Sequence, residues 1–134
     1  MEQNTEFYER LIAKIIEIHK DSLEEILIQL KALNFFDDSF LLKLISYLKM
    51  CKLTEITCES FPDFKYYLMN IGESYFIYHD NNHCSCNNEI ENKNKLNNIC
   101  IHLLVFKILI NINSYYKKVV DKDKMMEIIK ENYL

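Results

Sequence analysis

Residues 83–86 read HCSC and residues 100–102 read CIH, and thirteen residues separate Cys86 from Cys100. Each motif contains two soft metal ligands with one residue between them, so an extended or turning backbone can direct both side chains towards one point. The intervening segment is long enough to let the two pairs meet. The spacing therefore predicts a tetrahedral zinc site with these four ligands: Cys84, Cys86, Cys100 and His102.

A set of three cysteines and one histidine leaves no coordination position open for water. It therefore predicts one structural Zn²⁺ ion and no catalytic centre. The second ligand pair begins a segment, Ile101 to about Tyr116, that is apolar nearly all round and that we predict as a helix buried on several faces. The positive end of this helix dipole would stabilise the thiolates.

Other interpretations of these residues are weaker. Ordinary core packing does not account for the four candidate ligands, because Ser85 and the nearby asparagines supply no apolar surroundings. His83 could replace His102, but adjacent side chains diverge in an extended backbone. The run HDNNH at residues 79–83 approaches the HExxH motif of zinc peptidases, yet the segment before it alternates like a strand, not a helix. For a cysteine hydrolase, nothing in the sequence orients a histidine towards a thiol.

Length and composition limit the possible functions. The chain has 134 residues, 49% of them hydrophobic and 27% charged, which fits one compact domain. A single glycine cannot form the glycine-rich phosphate loops or the nucleophile elbow of common enzyme folds. The formal net charge of -4 argues against a nucleic-acid binder held by bulk electrostatics. The N-terminus has no secretory signal and the longest apolar run is too short to span a membrane, so we expect an intracellular protein.

Three helices are predicted before residue 50. Apolar residues at helical spacing mark one helix from Glu6 to about Ile18, with Phe7, Leu11, Ile15 and Ile18 facing inward. Asp21 or Ser22 is expected to cap the second helix, and the third is expected to begin at Asp37 or Asp38. In the third, the residues predicted to face the core are Leu41, Leu42, Leu44, Ile45 and Leu48.

The periodicity changes near Cys51. Three short segments, 53–60, 65–70 and 73–79, are rich in Thr, Tyr, Phe and Ile and predict a three-stranded antiparallel meander. Gly72 is expected to take a positive φ in the tight turn between the second and third strands. A closing amphipathic helix is predicted from Asp121 to Tyr133, and Cys51 and Cys58 are expected to pack in the core. The fold class is therefore α+β.

The CxC and CxH motifs resemble the signature of the SWIM zinc finger, in which short strands precede the ligands and a helix follows them. The segments YFIYHDNNHCSC (75–86) and ICIHLLVFKIL (99–109), in a chain of this length, are similar to the small SWIM-domain subunit of the Shu complex. Residues 1–50 then form the N-terminal helical part of a single domain, and residues 51–134 form the SWIM region with the C-terminal helices. Members of this group usually carry alanine where this chain has Val105.

The resemblance implies a non-enzymatic adaptor that promotes recombinase assembly in homologous recombination and DNA repair. It implies a nuclear protein whose partner is a paralogue of the RecA-type recombinase, with DNA contacted mainly through that partner and with no membrane and no small-molecule substrate. The alternative is a SWIM module that binds protein or DNA in another assembly, such as a ubiquitin ligase or a transposon-derived protein. A zinc or thiol hydrolase is the third possibility.

Overall fold

The computed structural model describes residues 2–72, 74–78 and 100–133, with side chains for residues 6–72 and 100–131. Three helices begin the chain: α1 (Glu2–Ile18), α2 (Leu23–Ala32) and α3 (Asp38–Met50). The hydroxyl of Ser22 caps α2 by accepting the N–H of Glu25 at 3.2 Å, and the carboxylate of Asp37 caps α3 by accepting the N–H of Phe40 at 2.8 Å. Both caps lie at positions that the sequence offered as alternatives.

The sheet contains β1 (Cys51–Thr57), β2 (Lys65–Ile71), β3 (Ser74–Tyr78) and β4 (Tyr116–Val119), in the order β3-β2-β1-β4. The first three strands form the predicted antiparallel meander, and Gly72 has a φ of +63° at the end of β2, before β3 begins. The fourth strand pairs with β1 in parallel, so the described sheet is mixed and not wholly antiparallel.

The C-terminal part differs from the sequence prediction for a local reason. Helix α4 (Ile101–Asn111) ends before the expected boundary near Tyr116, because Asn113 adopts a φ of +58° and turns the chain out of the helix. The N–H of Ser114 then donates to the carbonyl of Leu109 at 2.9 Å, which satisfies one terminal carbonyl. The chain continues into β4 and then into the last helix, α5 (Lys122–Tyr133).

The larger of the two hydrophobic clusters formed by the described residues lies between the helices and one face of the sheet. Helix α4 contributes the most residues to it, as expected for the most apolar helix. Its buried members are Ile12, Ile16, Ile26, Leu30, Phe36, Phe40, Leu44, Leu53, Met69, Ile71, Ile101, Leu104, Val105, Phe106, Ile108 and Leu109. These residues come from both the N-terminal helical part (residues 1–50) and the remainder (residues 51–134), so the two parts share one core. Val105 is fully buried among them.

A smaller cluster lies on the opposite face of the sheet, under α5. Its buried members are Ile56, Cys58, Tyr66, Met125 and Ile128. The two clusters follow from strand geometry, since successive side chains of β1 point to opposite faces. The α+β fold class predicted from the sequence is confirmed.

Some details of the predicted helix faces are wrong. Phe7, Ile18 and Leu42 were expected to face inward, yet they are 58%, 62% and 70% exposed. In α1 the buried positions are Ile12 and Ile16, so the buried face of the helix is rotated slightly from the predicted one. No helix in the described part of the chain is both long enough and apolar enough to cross a membrane.

Candidate metal centre

Cys100 occupies the N-cap position of α4. Its backbone is extended, with φ -74° and ψ 128°, and its carbonyl accepts the N–H of Leu104 at 3.2 Å, which starts the helix. Its side chain makes no capping hydrogen bond. The thiol therefore lies where the chain passes from the segment before α4 into the most buried helix of the fold.

His102 lies on the first turn of the same helix and is only 3% exposed. Its Nδ1 atom is 3.9 Å from the Sγ atom of Cys100. Zinc bonds of about 2.3 Å to sulfur and about 2.0 to 2.1 Å to nitrogen, at a tetrahedral angle, would place these atoms about 3.6 Å apart. A small side-chain adjustment would therefore allow both residues to coordinate one ion.

The imidazole of His102 is oriented by an aromatic neighbour on α3. Its ring lies parallel to the ring of Tyr47, with centroids 5.8 Å apart and planes inclined by 9°. The ammonium of Lys43, one turn before Tyr47, is 5.5 Å from the centroid of the same tyrosine ring. Sequence reasoning missed Tyr47 and Lys43, although Tyr47 follows the buried Leu44 at helical spacing.

Helix α1 approaches the other side of Cys100. A cavity of about 30 Å³ lies between these elements, which is close to the volume of one water molecule. Its lining residues are Glu9, Ile12, Cys100, Leu103, Leu104 and Lys107. Cys100 therefore adjoins α1, so an ion that fixed the thiol would also restrain the packing of α1 against α4.

The structure brings together two of the four predicted ligands. Cys100 and His102 are in contact, whereas Cys84 and Cys86 lie outside the described residues, as does the HDNNH run at 79–83. Strand β3 ends at Tyr78, six residues before Cys84. Within the described ranges, no three His, Cys, Asp or Glu side chains are placed to hold a metal ion.

The cysteines outside the two motifs behave as packing residues, which confirms the prediction for them. Cys58 is buried under α5, and Cys51 is half-buried at the junction of α3 and β1. Burial raises the pKa of the Cys51 thiol to about 11, so this group stays protonated and unreactive at neutral pH.

Comparisons of the chain with protein families, with curated proteins and with solved structures gave no match. The interpretation of the site therefore depends on the spacing of the four candidate ligands and on the geometry at the start of α4.

Proposed function

We propose that this chain is a non-enzymatic, zinc-binding adaptor subunit of a Shu-type complex, which promotes recombinase assembly in homologous recombination and DNA repair in the nucleus. The observation that supports it best is the 3.9 Å contact between Cys100 Sγ and His102 Nδ1 at the start of the buried helix α4. This distance is close to the roughly 3.6 Å that joint coordination of one zinc ion by the second half of a CxC and CxH ligand set would give.

The proposed ligands are Cys84, Cys86, Cys100 and His102, and one bound Zn²⁺ ion would supply a structural cross-link. Because Cys100 is the first residue of the α4 segment, this cross-link would tie the chain that follows β3 to the core helix. Four protein ligands leave no position for a zinc-bound water. The proposed centre is therefore structural and not catalytic.

The partner in this proposal is a paralogue of the RecA-type recombinase. A net charge of -4 favours protein contact over direct DNA contact, so DNA is reached mainly through the partner. Apolar side chains are exposed on each of the three N-terminal helices, for example Ile18, Ile28 and Leu42, and these are candidate contact positions.

Affinity purification of the tagged chain from its own host cells, followed by mass spectrometry, tests this function. We expect the wild type to recover a recombinase paralogue and Cys100→Ser to lose it. Cys51→Ser is the matched control, since it removes a half-buried thiol that is not a proposed ligand. Recovery of ubiquitin machinery alone would instead favour a SWIM module of another assembly.

A further inference from the structure

Among the described residues, the face of the sheet opposite the main core is only partly covered. Helix α5 packs Met125 and Ile128 over one part of it, against Ile56 and Tyr66. A groove of about 590 Å³ runs beside α5 over the remainder, and its floor includes Thr54, on β1, and Leu68, on β2. These two residues are directly opposite each other in the strand register and are half-buried. We call this feature the sheet groove.

The rim of the sheet groove is basic. Four lysines line it, Lys52 on β1, Lys117 and Lys118 on β4, and Lys124 on α5, and no Asp or Glu is among the described lining residues. All four are exposed. Lys52 lies over the ring of Tyr116 at 5.2 Å, and Lys124 forms an exposed ion pair with Glu127 at 3.6 Å. The local charge of this rim is therefore opposite in sign to the net charge of -4 of the whole chain.

The spacing of the lysines fits an elongated partner better than a single small anion. Lys118 pairs with Ile56 in the parallel register, and Lys52 lies four residues earlier on β1. At about 3.3 Å per residue, the two positions are roughly 13 Å apart along the strands. Carboxylates two turns apart on a helix are separated by about 11 Å, which is close to the distance between these two lysine positions.

The floor of the sheet groove favours a peptide over a nucleic acid. Single-stranded nucleic acids bind by stacking their bases on exposed aromatic rings. Among the described lining residues, Tyr116 is the exposed aromatic, at 63%, and Lys52 lies over its ring. The floor also contains the aliphatic side chain of Leu68 beside the polar Thr54 and Asn70, and such a mixed surface suits one side of an amphipathic helix.

We propose that the sheet groove binds an acidic amphipathic helix of a partner protein, with its apolar side chains on Thr54 and Leu68 and its carboxylates beside the rim lysines. The bound helix would lie alongside α5 and complete the layer that α5 begins. This surface is separate from Cys100 and His102, which belong to the cluster on the other face of the sheet. The inference therefore does not rest on the zinc centre.

Fluorescence anisotropy with a labelled peptide of about 15 residues tests this proposal. The probe has leucines along one helical face and glutamates elsewhere, and the full-length protein is the binder. We expect it to bind more tightly than an otherwise identical peptide with lysine in place of glutamate. Lys117→Glu together with Lys118→Glu should weaken binding by about tenfold or more, and added salt should weaken wild-type binding.

The control is Lys14→Glu together with Lys31→Glu, which makes the same charge change on exposed positions of α1 and α2. It should change the affinity by less than about twofold. The β4 lysines could serve only to keep an edge strand from aggregating, a role that glutamates would also fill. Unchanged binding by the β4 variant would therefore overturn the proposal, as would no binding of the acidic peptide or tighter binding of an oligothymidylate. Measuring the zinc content of each variant separates these outcomes from a failure of the metal site.

Discussion

The hydroxyl of Tyr67, on β2, donates a hydrogen bond of 3.1 Å to the carboxylate of Glu55, directly opposite it on β1. Glu55 is only 8% exposed, and the ammonium of Lys65 lies 3.8 Å from the same carboxylate oxygen. The ring of Tyr67 also makes a T-shaped contact with the ring of Phe106 on α4, with centroids 5.1 Å apart. The buried carboxylate of Glu55 thus has a hydrogen-bond donor and a nearby positive charge at the point where the sheet contacts α4.

Removing that hydroxyl should destabilise the fold. Tyr67→Phe takes a hydrogen bond from a buried carboxylate, and we expect it to lower the free energy of unfolding by about 1 to 3 kcal/mol. Tyr116→Phe is the matched control, because its side chain is exposed, and its effect should be within about 0.5 kcal/mol. Urea denaturation followed by circular dichroism measures both. Equal stabilities of the two variants would contradict the role assigned to Glu55 and Tyr67.

Stability should fall at alkaline pH, beginning with Cys51. Burial raises its pKa from 9.0 to about 11, and burial together with the charge and hydrogen bond of Glu55 raises the pKa of Tyr67 from 10.0 to about 12. The folded protein keeps these protons after the unfolded chain has released them. The stabilisation is therefore complete below pH 9 and is lost as the pH rises from 9 to 12.

Urea midpoints measured from pH 8 to pH 11 would reveal this loss. Cys51→Ala should flatten the part of the curve between pH 9 and pH 11, because it removes the first group to titrate. A wild-type midpoint that stays constant over that interval would show that Cys51 is as accessible to solvent in the folded state as in the unfolded chain.

A substitution at Val105 measures how tightly the core is packed around α4. Its side chain is fully buried, and under the proposed SWIM assignment alanine would be usual at this position. We expect Val105→Ala to cost about 1 to 3 kcal/mol of stability, because the surrounding core is packed around the larger side chain. Val119→Ala removes the same atoms from an exposed position and should be close to neutral. If Val105→Ala left the free energy of unfolding unchanged, the neighbouring side chains would have filled the vacated space, and the tight packing around Val105 would be contradicted.

Much of the fold could be predicted because local signals and the hydrophobic pattern agree. Ser22 and Asp37 are good N-caps ahead of apolar runs. Gly72, the single glycine of the chain, lies between β2 and β3, where the backbone takes a positive φ. The end of α4 could not be predicted in the same way. Residues 112–116 read INSYY, so Ile112, Tyr115 and Tyr116 extend the apolar spacing past the end of the helix, and the positive φ of Asn113 turns the chain out of the helix before β4.

The candidate site was less predictable than the fold. The CxC and CxH spacing suggests which atoms should meet, and the described pair, Cys100 and His102, does meet. Tyr47 could not be identified as the neighbour of His102, because α3 and α4 are about fifty residues apart in sequence and their contact depends on tertiary packing. The sheet groove also depends on β4, a strand that the sequence did not predict between the two C-terminal helices.

The ring of Tyr47 should help to hold the metal. Tyr47→Ala removes the surface against which His102 stacks, and we expect it to weaken zinc retention by about tenfold, as the loss of a supporting residue commonly does. Tyr47→Phe preserves the ring and should retain zinc like the wild type. Competition with a chromogenic chelator measures both variants. Equal retention by the alanine and phenylalanine variants would show that the stacking does not support the site.

Elemental analysis of the untagged, freshly purified protein tests the central claim most directly. We expect one zinc ion per chain, lost in Cys84→Ser and His102→Ala together with thermal stability. Structural zinc contributes roughly 10 to 16 kcal/mol in finger peptides, as much as the whole stability of many domains. Cys51→Ser should keep its zinc. A correctly folded wild-type protein without stoichiometric zinc would contradict the account.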